Sequence, residues 1–356
     1  MKKIILVISA FFLMLSYIGC GSDSPIIPST GNPSDLSRTG KFISFTSNLD
    51  GDYDIYIIQV DANGNIATTG LVYGTNPYNL TNTFNGNTDK QSNWSPNGRV
   101  LVYSSTQGNN EEVYAFFFKA DGGTDSSITP NPKKLFSSNG NWDNNPSYSP
   151  DGNYLIWDRR ENNNGGGIDS SDSRDLFIGN VSGSGNSLTV SNPRPIKNTV
   201  GGDEYNPKWS PRISTRKIAY EYQPSSTATD HDVYIIDPFD TTNNVNFYNP
   251  NNSGYPAWAP ECNRIIFESD KTSGNYWKIV FLPYPASGNP TDLVDASGFN
   301  SRYPTRLPNG NLIAYIRITL STSTGNIYVT TTSAGGVGNK LLPASFDNFN
   351  NLWPAW

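Results

Sequence analysis

The string "NWSPNG" at positions 93–98 returns, with variations, along most of the chain, and this recurrence constrains the fold more than any other feature. Aligned copies read "QSNWSPNG" from Gln91, "NPSYSPDG" from Asn145, "NPKWSPRI" from Asn206, "YPAWAPEC" from Tyr255, "YPTRLPNG" from Tyr303 and a final "WPAW" from Trp353. The second prolines of the copies, Pro96, Pro150, Pro211, Pro260 and Pro308, are spaced 54, 61, 49 and 48 residues apart. A period of this size corresponds to one four-stranded sheet per repeat.

Each marker precedes an apolar run: "RVLVYSS" from Arg99, "NYLIWDRR" from Asn153, "RKIAYEY" from Arg216, "NRIIFES" from Asn263 and "NLIAYIR" from Asn311. Apolar residues on consecutive positions predict strands covered on both faces, as when one sheet lies between two others. A second β run follows each polar loop, as in "EVYAFFF" from Glu112 or "DVYIID" from Asp232, and a short fourth strand such as "KKLFSS" from Lys133 closes the unit. The turns "SPNG" and "SPDG" carry proline at the second position and glycine at the fourth, which suits a tight hairpin. "SPRIST" and "APECN" depart from that pattern and predict wider hairpins. The earlier prolines, Pro146, Pro207, Pro256, Pro304 and Pro354, fall within the first strand, which must therefore be an edge strand, because proline has no N–H to donate.

The segment from Gly40 to Val60 holds a second and a third strand with no first strand before them, while "LWPAW" at the C-terminus is a first strand with nothing after it. Joined, they complete one split unit beside five whole ones. The expectation is an all-β, six-bladed β-propeller over residues 40–356, clasped by its own termini, with Trp353 and Trp356 buried in the clasp. Aromatic residues at 13%, 32 glycines and 25 prolines agree with strands and turns. The repeat, approximately Pro-x-Trp-Ser-Pro-Asp-Gly, an apolar strand and then Asp-Ile-Tyr (Asp54 to Tyr56 in the first copy), resembles TolB-type β-propeller repeats across the whole of that region. The resemblance implies the fold and leaves activity open, since such blades occur in TolB, in peptidase propellers and in lyases. TolB also carries an N-terminal α/β domain, for which the segment ahead of the propeller leaves no room.

That segment opens "MKKIILVISAFFLMLSYIGC", two lysines followed by an apolar run and a cysteine, the pattern of an export signal over residues 1–19. The run of about 15 residues is shorter than the roughly 20 that span a bilayer as a helix. "YIGC" resembles a lipoprotein lipobox, with Cys20 as the acylated residue and Tyr17 where leucine is usual. Residues 20–39, rich in Ser, Pro and Gly, read as a lipid-anchored flexible tether reaching roughly 25 Å. Gly21 favours the outer membrane, and the expected setting is a bacterial cell envelope, periplasmic or surface side, with a monomeric protein.

Loss of Lys2 and Lys3 with the signal takes the formal charge from -6 to -8, and no basic block exists to hold nucleic acid. With Cys20 acylated, Cys262 is the only other thiol, so no intrachain disulfide is expected. "NLDGDYD" at 48–54 has the acids of a calcium loop but glycine in the wrong place and no glutamate at the twelfth position, and is expected to be a polar turn. His231 is the single histidine, which removes multi-histidine zinc sites, and no Gly-x-Ser-x-Gly elbow occurs. It is expected to be a loop residue. No metal or cofactor is expected.

Function is expected to reside on the face that carries the loops between second and third strands together with the blade-to-blade connections, including the long insert from Glu161 to Asp175. Trp142, Asp143, Asp203, Glu204, Tyr205, Tyr255, Arg302 and Tyr303 are the candidate partner-binding residues there, Tyr, Trp and Arg being the types that anchor partners. The leading expectation is non-catalytic binding of an envelope protein or glycan. The alternative is a periplasmic hydrolase or lyase using carboxylates at the propeller mouth, among them Asp89, Asp143, Asp203, Glu204 and Asp347.

Overall fold

The structure is a computed structural model and describes residues 42–355 apart from 62, 83–85, 109, 163–166, 170–171, 226–227, 249–251, 271–275, 295–297, 307–311 and 332–337. The export signal, Cys20, the tether and Trp356 lie outside the described residues. Among the described residues no helix is long and apolar enough to cross a membrane.

Six four-stranded antiparallel sheets form a ring, and each is a blade. Five blades take their strands in chain order. The remaining one pairs the C-terminal strand Asn351–Ala355 with Phe42–Ser47, followed by Asp54–Gln59 and Tyr78–Asn79. This is the split blade expected from the repeat; it is numbered blade 1 and the others 2 to 6 along the chain. The apolar second strands explain the ring, because their side chains alternate between two neighbours. Leu101 and Tyr103 of blade 2 pack with Ile55 and Ile57 of blade 1, whereas Val102 packs with Leu155 and Trp157 of blade 3. A separate hydrophobic cluster of this kind fills each of the six interfaces, including that between blades 6 and 1.

The first strands line the central channel, as their prolines required. All six are bulged at the same point. Gln91, Asn145, Asn206, Tyr255, Tyr303 and Trp353 have φ of 57, 51, 53, 48, 54 and 47°, and the pairing register shifts beside each. The residue that follows is proline in five cases, so the bulge occurs where the chain has no N–H for the ladder.

Three details differ from expectation. The turn at "APEC" is as tight as the glycine turns: Ala259 N–H donates to Arg264 O at 3.0 Å, as Ser149 N–H does to Tyr154 O at 2.9 Å, and Cys262 takes the glycine's place at φ 54°. "SPRIST" does widen, closing from Ser210 N–H to Lys217 O at 2.8 Å. The fourth strand is short in blade 2 (Lys133–Lys134) but nine residues long in blades 3 and 4 (Thr189–Lys197 and Asp240–Tyr248), so a long outer hairpin, as well as the 161–175 insert, accounts for the 61-residue spacing. At the clasp a buried asparagine joins the expected tryptophans, of which Trp356 lies outside the described residues. Trp353 is only half-buried and lines the channel, while Asn351 has no exposed surface. Its Nδ2 donates to Gly325 O at 2.7 Å and Phe346 O at 2.9 Å, and its Oδ1 accepts from Ser47 Oγ at 2.7 Å.

Candidate functional site at the channel rim

The fully buried aromatic of each second strand, Trp157, Tyr220 or Phe267 in blades 3 to 5, is followed by an acid: Asp158, Glu221 and Glu268. Strand alternation turns these carboxylates toward the bulge of the next blade. Asn206 N–H donates to Asp158 Oδ2 at 3.2 Å, Tyr255 N–H to Glu221 Oε2 at 3.1 Å and Tyr303 N–H to Glu268 Oε2 at 2.9 Å. Ser104 holds the corresponding N–H of Asn145 at 3.2 Å. The carboxylates thus fix a left-handed backbone that Asn tolerates and that tyrosine adopts only when held there.

Each acid has further partners. Asn145 Nδ2 donates to Asp158 at 2.7 Å, and Asn206 Nδ2 to Glu221 at 2.8 Å. His231 Nδ1 lies 2.8 Å from Glu221 Oε1 and also contacts the Tyr205 hydroxyl. Burial alone would raise the Glu221 carboxyl, but the hydrogen bond and charge of His231 hold it below its ordinary range, and the same bond raises the imidazole. Arg302 Nε donates to Glu268 Oε1 at 3.0 Å, and its guanidinium lies over Trp277, Tyr303 and Tyr255 at 4.4, 5.1 and 5.9 Å. The side chain remains 26% exposed, so this braced cation still meets solvent.

The structure brings Tyr205, Tyr255, Arg302 and Tyr303 together around blades 4 to 6. Tyr255 and Tyr303 meet edge to face at 4.4 Å, and Trp353 stands 5.8 Å from Tyr303. Trp142 lies apart from them at the start of blade 3, half-buried. Asp143 and Glu204 have no exposed surface. Asp143 accepts from Arg159 Nε at 2.6 Å and Trp157 Nε1 at 2.7 Å, and burial pushes Glu204 up to about 7. Both are thus buried in this structure, Asp143 on partners of its own blade. Asp203 is 5% exposed; it accepts the backbone N–H of Arg174 at 2.9 Å and pairs with Arg160 at 3.5 Å. Sequence reading missed Asp158, Glu221, Glu268 and the engagement of His231. The available signal was an acid directly after the aromatic of an apolar run, in "WD", "YE" and "FE".

The "NLDGDYD" segment brings one carboxylate oxygen each from Asp50, Asp52 and Asp54 within 4.8 Å of one another. Asn79 Nδ2 donates to Asp50 at 2.7 Å and Asp54 at 2.8 Å, Thr81 Oγ1 donates to Asp54 at 3.0 Å, and Gly86 N–H donates to Asp52 at 2.5 Å. Each acid thus has a donor from the chain, as in a polar turn.

No family model and no curated protein matches this sequence. In shape it is similar to TolB from Acinetobacter baumannii, at 16% identity and a TM-score of 0.63, covering 90% of this chain and 67% of that one. It is also similar to hydrazine synthase of Kuenenia stuttgartiensis (13%, TM-score 0.61, 92% and 50% covered) and to an oligogalacturonate lyase in complex with manganese (12%, 0.53, 84% and 73%). The fold is a TolB-like six-bladed β-propeller. At these identities the likeness establishes the fold alone.

Proposed function

We propose that the chain is a cell-envelope lipoprotein, anchored through Cys20, whose propeller docks a protein partner over the channel rim without catalysing a reaction. The observation that carries the docking reading is the cluster around Arg302. A partly exposed guanidinium is braced by a buried carboxylate and stacked among Trp277, Tyr255 and Tyr303. Arg, Trp and Tyr held in fixed positions make anchors that lose little entropy on binding. The envelope setting rests on the export signal and the "YIGC" motif. Cross-linking in the native envelope, followed by mass spectrometry, tests the reading. A protein enriched over a lipid-anchored control, and lost when Tyr255 and Tyr303 are replaced, supports it; no enrichment over that control removes its basis.

A catalytic reading is favoured by one contact. Glu221 orients His231 through Nδ1, as an acid orients a general base, and the imidazole is 28% exposed. Its test is hydrolysis across peptide and polysaccharide panels by the wild type and His231→Gln. Turnover abolished by that change would replace the binding reading.

A further inference from the structure

The bulged positions divide the channel wall into two unlike halves. Blades 2 to 4 contribute the amides Gln91, Asn145 and Asn206, and blades 5, 6 and 1 contribute the rings of Tyr255, Tyr303 and Trp353. The channel space among these side chains is about 40 Å³, room for three or so waters or one small polar group. Lys208, two residues beyond Asn206 in the first strand of blade 4, is the one charged side chain among the described residues that line it. No described residue accepts a hydrogen bond or forms an ion pair with its ammonium group. The acid whose charge acts on it, Asp158, is buried behind the wall, and its Oδ2 accepts from Asn145 Nδ2 and Asn206 N–H. Burial pushes the lysine down to about 8, partly opposed by Asp158, and burial also pushes the Asp158 carboxyl up toward its neutral form. Glu221 and Glu268 are engaged by His231 and Arg302 and do not serve Lys208. The Lys208 side chain is half-buried, and a partly desolvated ammonium with no direct ion-pair partner gains from an anion that supplies one.

We propose that the channel is a binding site for a single carboxylate group, received by the Lys208 ammonium with its stem directed along the Tyr255, Tyr303 and Trp353 wall. A carboxylate fits the volume, supplies the missing acceptor oxygens and completes a charge-assisted hydrogen bond. The carboxylate belongs either to a free small acid or to the C-terminus of a peptide entering from the rim. This site stands independently of the docking reading, since it needs no protein partner.

The test uses the full chain and thermal melts at fixed ionic strength with sodium acetate, acetamide, and trialanine in free-acid and amidated forms. Acetate is expected to raise Tm saturably and acetamide to leave it unchanged. Lys208→Met is expected to fold, to melt no lower than wild type without ligand, and to weaken acetate binding about tenfold or more. Lys208→Gln provides the same comparison if the Met variant does not fold. A shift from trialanine acid but not from its amide assigns the site to a peptide terminus, whereas a shift from acetate alone assigns it to free small acids. An equal shift with acetamide, a shift that survives in the lysine variants, or no saturable shift with acetate overturns the proposal.

Discussion

Glu268 Oε2 accepts the backbone N–H of Tyr303 across a blade interface at 2.9 Å, and this one bond ties the interior of blade 5 to the channel wall of blade 6. The same tie runs from Glu221 to Tyr255, from Asp158 to Asn206 and from Ser104 to Asn145. The repeat therefore does more than stack hydrophobic sheets. At a fixed position in the second strand it places an acceptor that fixes the bulge of the next blade, and the bulge presents a side chain to the channel.

Removing the acceptor should accordingly loosen more than one group. Glu268→Ala leaves the Arg302 guanidinium without its buried counter-charge and the Tyr303 N–H without an acceptor, and is expected to cost ~3 kcal/mol. Glu268→Gln keeps an acceptor oxygen and is expected to cost less. Urea unfolding of the three proteins checks this. Equal midpoints for wild type and the alanine variant would show that the pair does not brace the rim.

The His231–Glu221 pair predicts a pH window. His231 is raised above its ordinary 6.5, so its contribution to stability is fully present below 6.5 and is lost as pH rises through the raised folded value. Glu221 is lowered below its ordinary 4.5, so its contribution is present above 4.5 and is lost as pH falls through the lowered folded value. The gap in Tm between wild type and His231→Gln should be widest between these limits and close on the alkaline side. Melts from pH 4 to about pH 9, a range that brackets the ordinary pKa values, measure it. A gap that grows above pH 8 would contradict the pairing.

The fold was legible because it is written six times. Strand, turn and edge signals that are weak in one copy reinforce one another in five, and the odd C-terminal "WPAW" makes sense only as the missing strand of the first blade. The site was less legible, for a physical reason. Asp143 and Glu204 stand at strand starts where a loop-face acid is expected, yet register turns both inward, one onto Arg159 and Trp157 and the other into an inter-blade space. Asp158, Glu221 and Glu268 sit inside apolar runs, where a single copy reads as noise. Cys262 shows the same limit from another side. Nothing in its side chain favours a φ of 54°, and the hairpin imposes it from the spacing of the two strands.

The clasp rests on Asn351. Its amide bridges Gly325 O, Phe346 O and Ser47 Oγ, with no exposed surface. Asn351→Ala strands these groups and is expected to cost at least about 2 kcal/mol. Deleting 351–356 removes the whole first strand of blade 1 and should open the ring, seen as early melting and rapid proteolysis. A truncated chain that melts like the intact one would show that the termini do not close the propeller.

Tyr255 and Tyr303 occupy bulge positions that Asn145 and Asn206 fill in blades 3 and 4 with the same left-handed backbone. The blades therefore supply their own conservative replacement. Asparagine adopts φ near 50° more readily than tyrosine, while a bulky residue held there stores on the order of 1 to 3 kcal/mol. Tyr255→Asn with Tyr303→Asn relieves that strain and gives up the edge-to-face contact at 4.4 Å, itself worth about 1 kcal/mol. The two effects oppose each other, so the double variant should fold and melt within a few degrees of wild type. Capture of a docked protein should nevertheless fall by tenfold or more, because about 2 kcal/mol per anchor is typical of Tyr and Arg at an interface centre. A variant that melts normally and still captures the partner would move the docking surface away from this rim; one that unfolds would show that the two rings serve the channel wall.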